Sequence, residues 1–207
     1  MPKDMFFNIP EEKRQMFVQV AVEEFSTKSF EEVSVNSIIK KANISRGSFY
    51  TYFDNLEELL HYIMQPVKDE RIKHIKDFLD ESNSNFFEFV RKLFLYDYDK
   101  YNQNGTHSLF KNYIHFIQVV KKGSLKDNLI KDFLGTLSDP DFLKLKNVLA
   151  KPLELSEDEF FDLIEVSLIL MVNTFIKSEN EHLNKRETIS IFNHRITQLE
   201  FGVRKRS

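Results

Sequence analysis

The sequence contains no cysteine. That excludes a disulfide framework, a zinc finger and a thiol nucleophile, and it permits a reducing compartment. Tryptophan is also absent, and glycine and proline number only five each in 207 residues. So few turn-formers favour helices over a turn-rich β architecture. Neither sign of charge dominates: 29 Lys and Arg stand against 32 Asp and Glu, for a net charge of −3, so the chain as a whole does not advertise a polyanionic partner. The opening stretch from Met1 to Pro10 has no apolar run of signal-peptide length. The most apolar segment, 160–176, contains Asp162, Glu165 and Asn173, so no membrane span is expected. There is no glycine-rich phosphate loop, no internal repeat, no low-complexity tract and no β-type alternation. What is abundant is phenylalanine, at 21 residues. It can serve a core or line a pocket for a bulky apolar ligand, and composition does not choose between them. The expectation is a cytoplasmic, all-α protein, long enough to bury its own core.

The most informative stretch runs from Ser34 to Phe53. It holds three basic residues, Lys40, Lys41 and Arg46, and no acidic one, while Glu31, Glu32, Asp54, Glu57 and Glu58 flank it. Ser34 is an N-cap, and Val35, Ile38, Ile39 and Ala42 follow at helical spacing. Asn43 is a turn residue that tolerates a left-handed backbone. Ser45 caps the next helix, with Ile44 and Phe49 spaced as a hydrophobic staple and Phe49 and Phe53 four apart on the core side. Two short helices joined by a tight turn, the second small, polar and basic outside, are the form of a helix-turn-helix, which enters the DNA major groove. Gly47, in the first turn of the second helix, lets the backbone approach closely.

The remaining pattern is helical throughout. A first helix is expected from about Pro10 to Ser26, with Phe17, Ala21 and Phe25 on one face. After the helix-turn-helix, a long one begins near Asn55, and Pro66 should kink or split it. Further helices are expected over Asn85–Tyr101, His107–Lys121, Leu125–Leu137, a short run to Ala150, Glu157–Lys177 and Lys185–Val203, about nine in all. Breaks fall at Ser82–Ser84, Asn102–Thr106 and Asn180–Asn184.

Ser45-Arg46-Gly47-Ser48-Phe49-Tyr50-Thr51-Tyr52-Phe53, followed by Leu56-Glu57-Glu58-Leu59, resembles the TetR family of bacterial transcription regulators, whose short recognition helix carries Gly-(Ser/Thr)-(hydrophobic)-Tyr before an aromatic pair. Phe25 with Phe30, and Ile38, Ile39 and Ala42, match the family upstream. The resemblance covers about residues 9 to 65. It implies an N-terminal DNA-binding domain, 9–67, and a helical effector-binding and dimerisation domain, 68–207. Three departures stand out: Ser29 and Asn43 where the family has glycine, and Leu56 where it has a lysine that holds a phosphate. That grip would be lost, or taken over by the backbone amides at the start of the long helix.

On this reading double-stranded DNA meets Ser34, Asn36, Ser37, Lys40, Ser45, Arg46, Gly47, Ser48, Tyr50, Thr51 and Tyr52. Arg46 is the candidate for a base edge, since a guanidinium grips guanine bidentately; the others set register on the backbone. Residues 160–176 are apolar nearly all round, and the helix after them carries a clean stripe. Phe161, Ile164, Leu168, Met171, Phe175, Ile189, Phe192, Ile196 and Leu199 are therefore candidates for a homodimer interface, with a buried central helix in a monomer as the alternative. A small, apolar or aromatic effector would sit among Phe94, Asp97, Tyr101, Phe110, Tyr113, Ile117 and His74. Asp97, on the stripe of Phe86, Val90, Leu93 and Phe94, is either a pocket group or a partnered polar residue of the core. No catalytic, cofactor or metal set is assigned. Glu58-x-x-His61 and Glu179-x-x-His182 have di-iron spacing, but the second falls in an expected loop. The expected function is a repressor released from a palindromic operator by its effector. The alternative is a helical small-molecule-binding protein with a vestigial DNA unit, for which Leu56 speaks.

Overall fold

The computed structural model describes residues 2–102, 106–119 and 139–202. Among these there are ten α-helices and no strand: α1 Asp4–Phe7, α2 Glu11–Thr27, α3 Val35–Lys41, α4 Arg46–Tyr52, α5 Leu56–Glu81, α6 Phe86–Asn102, α7 Thr106–Val119, α8 Asp139–Leu149, α9 Glu157–Asn180 and α10 Lys185–Phe201. Short 3-10 turns lie at Phe30–Glu32 and Lys151–Leu153. All but α1 fall on expected segments. The helix expected over Leu125–Leu137 lies outside the described residues. None of the described helices is long and apolar enough to cross a membrane.

α5 is not split. Pro66 lies inside its 26 residues, exposed on the surface. A proline removes one ladder hydrogen bond; Ile63 and Met64 before it and Ile75 and Leu79 after it are all buried, and that burial outweighs the loss.

The described residues form two compact units, 2–69 with 100–102 and 106–119, and 70–99 with 139–202. The first has an aromatic core. Phe6 packs its ring 4.9 Å from Phe53, 5.7 Å from Phe17 and 5.4 Å from Tyr62. α2 packs on α7, where the Asn112 amide donates to the Phe25 and Lys28 carbonyls at 2.8 and 3.0 Å. Those carbonyls end α2 without intrahelical donors, so a residue 84 or more positions away caps the helix. Phe116 packs against Phe30, ring centres 4.4 Å apart, beside this cap.

In the second unit Phe94 lies flat between Phe192 (3.7 Å) and Phe175 (5.1 Å). α9 and α10 each begin with a capping box, Ser156 with Glu159 and Asn184 with Glu187. They are joined by the buried Ser178–Thr188 hydroxyl pair at 2.6 Å and by Arg195 donating to the Thr174 hydroxyl at 2.9 Å. Asp97 is fully buried and grips Arg71 through two bonds of 2.8 Å and one of 3.1 Å. Such a pair is retained only when both charges are well satisfied.

Candidate nucleic-acid interface

α3, the turn and α4 form as their side chains dictate. The Ser34 hydroxyl accepts from the Ser37 amide at 3.1 Å, and the Ser45 hydroxyl from the Ser48 amide at 3.0 Å. Asn43 takes the left-handed conformation at φ 50°. Ile38, Phe49 and Phe53 are fully buried, which fixes α4 with its polar face outward.

On that face Arg46 is preorganised. It donates to the Asn36 side-chain oxygen at 2.7 Å and to the Tyr50 hydroxyl at 3.3 Å, with its guanidinium 5.6 Å from the Tyr50 ring centre. Ser34, Asn36, Lys40, Ser45, Arg46, Gly47, Tyr50 and Thr51 are all exposed, and the Thr51 hydroxyl donates back to the Gly47 carbonyl. Ser48 is half-buried, its hydroxyl 2.8 Å from that of Ser45. Tyr52 is half-buried against Phe6 and Phe17.

Two side chains of this stretch turn toward α2. The Ser37 hydroxyl points inward, donating to Glu24 at 2.7 Å and to the Ser34 carbonyl at 2.8 Å. Lys41 is tied to Glu23 at 2.9 Å and Glu24 at 2.8 Å. Glu24, fully buried on α2, also holds Lys28 at 2.7 Å. Its carboxylate thus anchors α3 to α2 and removes one lysine from the basic island. Burial pushes the Glu24 carboxyl up, but the hydrogen bonds from Lys28, Lys41 and Ser37 outweigh it and bring the pKa down to about 2. The same contacts hold Lys41 charged, its pKa raised to about 12.

At the start of α5, where the lysine is missing, two backbone amides are already engaged. The Glu58 amide is taken by the Asn55 side chain at 2.8 Å, and the Asp54 amide by the Glu58 carboxylate at 2.7 Å. Sequence reasoning also missed Lys3. Its amide donates to the Tyr52 carbonyl at 2.9 Å and its ammonium to the Tyr50 carbonyl at 2.8 Å, with Asp54 at 2.6 Å. Lys3 therefore caps the last turn of α4. α1 is too short to leave a periodic signal, and only Phe6, fully buried, hints at it.

The expected effector residues are divided between the two units. Tyr101, Phe110, Tyr113 and Ile117 are buried in the first unit, where the Tyr113 hydroxyl lies 3.3 Å from His61 Nδ1. Phe94, Asp97 and His74 belong to the second. Phe94 is enclosed by its aromatic stack, Asp97 is neutralised by Arg71, and the His74 ring packs 4.4 Å from Tyr96. The second unit has a small apolar cleft, of about 20 Å³, lined by Phe86, Phe89, Val90, Leu93, Leu145, Ile164, Ser167, Leu168 and Met171.

The dimer stripe is likewise redistributed. Ile164, Leu168, Met171, Phe175, Phe192 and Ile196 are buried inside the unit, and Phe161, Ile189 and Leu199 are half-buried. A helical stripe reports burial without saying against which surface. The apolar side chains left outward on α9 include Val166, 41% exposed, and the half-buried Ile169, Leu170 and Ile176.

Comparison with known proteins places this geometry. Residues 17–63 match the family model described as "Bacterial regulatory proteins, tetR family". HTH-type transcriptional regulators from Staphylococcus aureus strains USA300 and NCTC 8325 are 32% identical over 75 residues. That stretch takes in 36% of this chain, and the chain spans only 40% of the length of these relatives. Three solved structures share the fold. A TetR family regulator from Chloroflexus aurantiacus J-10-FL has 21% identity and a TM-score of 0.53, covering 100% of both chains. FadR, a fatty acid degradation regulator of Bacillus halodurans, has 16% identity and a TM-score of 0.59, covering 96% of this chain and 100% of that one. FadR of Bacillus subtilis in complex with stearoyl-CoA has 17% identity and a TM-score of 0.55, covering 92% and 99%.

Proposed function

From the match of residues 17–63 to the tetR family of bacterial regulatory proteins, we infer that this chain is a sequence-specific DNA-binding transcription regulator. It works in the cytoplasm as a homodimer on a palindromic operator and is released by a small effector. The observation that carries the reading is the surface of α4, where Arg46 is held by Asn36 while Gly47, Tyr50 and Thr51 stand open beside it. A guanidinium fixed at its base loses less freedom on binding, and its outer edge still has donors for a guanine. Residues 9–67 carry the DNA contact, and 68–207 the effector and the second subunit. Two recognition helices on one dimer would reach half-sites about one helical turn, or a multiple of it, apart.

The face of α9 bearing Val166, Ile169, Leu170 and Ile176 supports a subunit contact, since these side chains are apolar and not enclosed by their own unit. The cleft has room for little more than a water molecule and would have to open, but its apolar character supports an effector with a hydrocarbon body. Its lining holds one serine and no charged group, the chemistry suited to an acyl chain such as that of the stearoyl-CoA bound to the Bacillus subtilis FadR. Effector and operator then weaken each other's binding by one common factor. The reading assigns the chain no reaction, cofactor or metal.

The test is a fluorescence-polarisation titration with duplex from the region upstream of its own gene. The Arg46→Ala, Tyr50→Ala double variant should lose specific binding and remain a folded dimer. Full affinity in that variant would end the DNA assignment. A second reading, a ligand-binding protein with a vestigial DNA unit, draws on Leu56 and on the acidic Glu58 occupying the start of α5. It predicts tight binding of a fatty acyl ligand and no affinity for any genomic fragment.

A further inference from the structure

α4 has two flanks. At about 100° per residue, Phe49 and Phe53 face the core, Gly47 and Thr51 face directly away, and the other side chains divide between the sides. Arg46 and Tyr50 lean toward α3, as the bond to Asn36 shows. Ser45, Ser48 and Tyr52 lean the other way, onto an open groove of about 1050 Å³ whose opposite side is formed by Pro10, Lys13 and Met16.

Lys13 is the free cation of this groove. It is exposed and has no ion-pair partner among the described residues, whereas Lys3, Lys28 and Lys41 of the same unit are each bound to a carboxylate. The neighbouring acids do not line the groove. Glu11 is held by Arg14 at 2.8 Å and Gln15 at 2.9 Å, and Glu12 sits about 100° round the helix from Lys13. The groove also lies at the start of the 17-residue α2, whose positive dipole end adds to the field there.

We propose that this groove seats a backbone phosphate of duplex DNA, with the Lys13 ammonium as the counter-charge and the hydroxyls of Ser48 and Tyr52 as hydrogen-bond donors. The proposal rests on the DNA-binding reading and deepens it. A helix in the major groove, about 12 Å wide, runs between two sugar-phosphate strands. Arg46, Asn36 and Lys40 serve the strand on the α3 side, and the first turn of α5 has no basic side chain for the other, since it reads Leu56, Glu57, Glu58, and the nearby Asp54 and Glu58 amides are taken. Lys13 supplies the missing cation from α2, where motif comparison centred on α4 and α5 would not look.

The experiment measures binding by polarisation on a labelled 30-base-pair duplex from upstream of the gene, and on a scrambled duplex of the same length, across a KCl series. Lys13→Gln should weaken both duplexes by a similar factor, roughly five- to twentyfold, and flatten the slope of log K against log [KCl] by about 1.8, or about 0.9 for each subunit of the dimer. Lys13→Arg should keep the wild-type slope. Lys73→Gln, an equal loss of charge on the exposed side of α5, should change neither quantity. Wild-type affinity and slope in Lys13→Gln, while the wild type binds, would overturn the phosphate seat alone. Absence of binding by the wild type to either duplex would overturn the DNA reading and the seat together.

Discussion

Gly47 stands in the first turn of α4 with room around it. A methyl added there would come no closer than 3.7 Å to any neighbour, the Ser45 hydroxyl. The fold therefore does not require glycine, and alanine is better in a helix by up to about 1 kcal/mol. Gly47→Ala should leave the melting temperature unchanged or higher. The same methyl would stand between the α4 backbone and DNA, and operator affinity should fall at least about tenfold, or ~1.4 kcal/mol. Undiminished polarisation binding by this variant would show that DNA does not approach the helix at Gly47. Glu24 makes the opposite case, a residue the fold depends on. Its folded pKa of about 2 lies below the ordinary glutamate value of 4.5. The ionised carboxylate therefore stabilises the domain at every pH above 4.5, and that contribution is lost as pH falls from 4.5 toward 2. Its full size is on the order of 3 kcal/mol. Urea titrations at pH 7 and pH 3 should show wild type losing most of this increment, about 2 kcal/mol, and Glu24→Gln, already destabilised at pH 7, losing less. The fate of Ser37 and Lys41 follows from Glu24. Both lie on the polar side of α3, and periodicity separates polar from apolar without distinguishing a side chain facing DNA from one facing a buried acid on the preceding helix.

At the scale of elements, the boundaries of the helix-turn-helix were legible because their causes are local: two serine caps, an asparagine at positive φ and phenylalanines four apart. Contacts between distant segments were not. Asn112 on α7 caps α2 through the Phe25 and Lys28 carbonyls, and nothing around Asn112 in the sequence announces a partner 84 or more residues upstream. Asn112→Ala should cost about 1–2 kcal/mol by leaving those carbonyls without a donor. The loss should appear first as faster amide hydrogen exchange over residues 25–30. Unchanged exchange there, with normal stability, would mean that water replaces the amide at no cost. The long apolar stripes misled for a related reason. Phe192 and Ile196 recur as an interface would, yet they close the core of their own unit against Phe94 and its neighbours.

For the whole molecule, the quantity that matters is the number of recognition helices presented at once. One helix as short as α4 reads few base edges, and specific affinity grows when two are held at fixed spacing. Val166 is the most exposed apolar side chain of α9, and its replacement by glutamate would bury an unpaired charge in any contact formed there. Val166→Glu should convert dimer to monomer in sedimentation analysis, keep the helical circular dichroism, and lose specific operator binding while retaining weak non-specific binding. A Val166→Glu dimer of undiminished stability would move the subunit contact off this face.

The Arg71–Asp97 pair bears on how any signal could travel along α5. A guanidinium locked onto a carboxylate in a dry interior has one comfortable register. Sliding α5 by a single turn, about 5.4 Å, would bring Val67 or Ile75 opposite Asp97 and strand both charges among hydrocarbon. The pair acts as a detent: between α5 and α6 gradual creep is blocked, and the lower part of α5 must tilt together with α6 as one piece or not move at all.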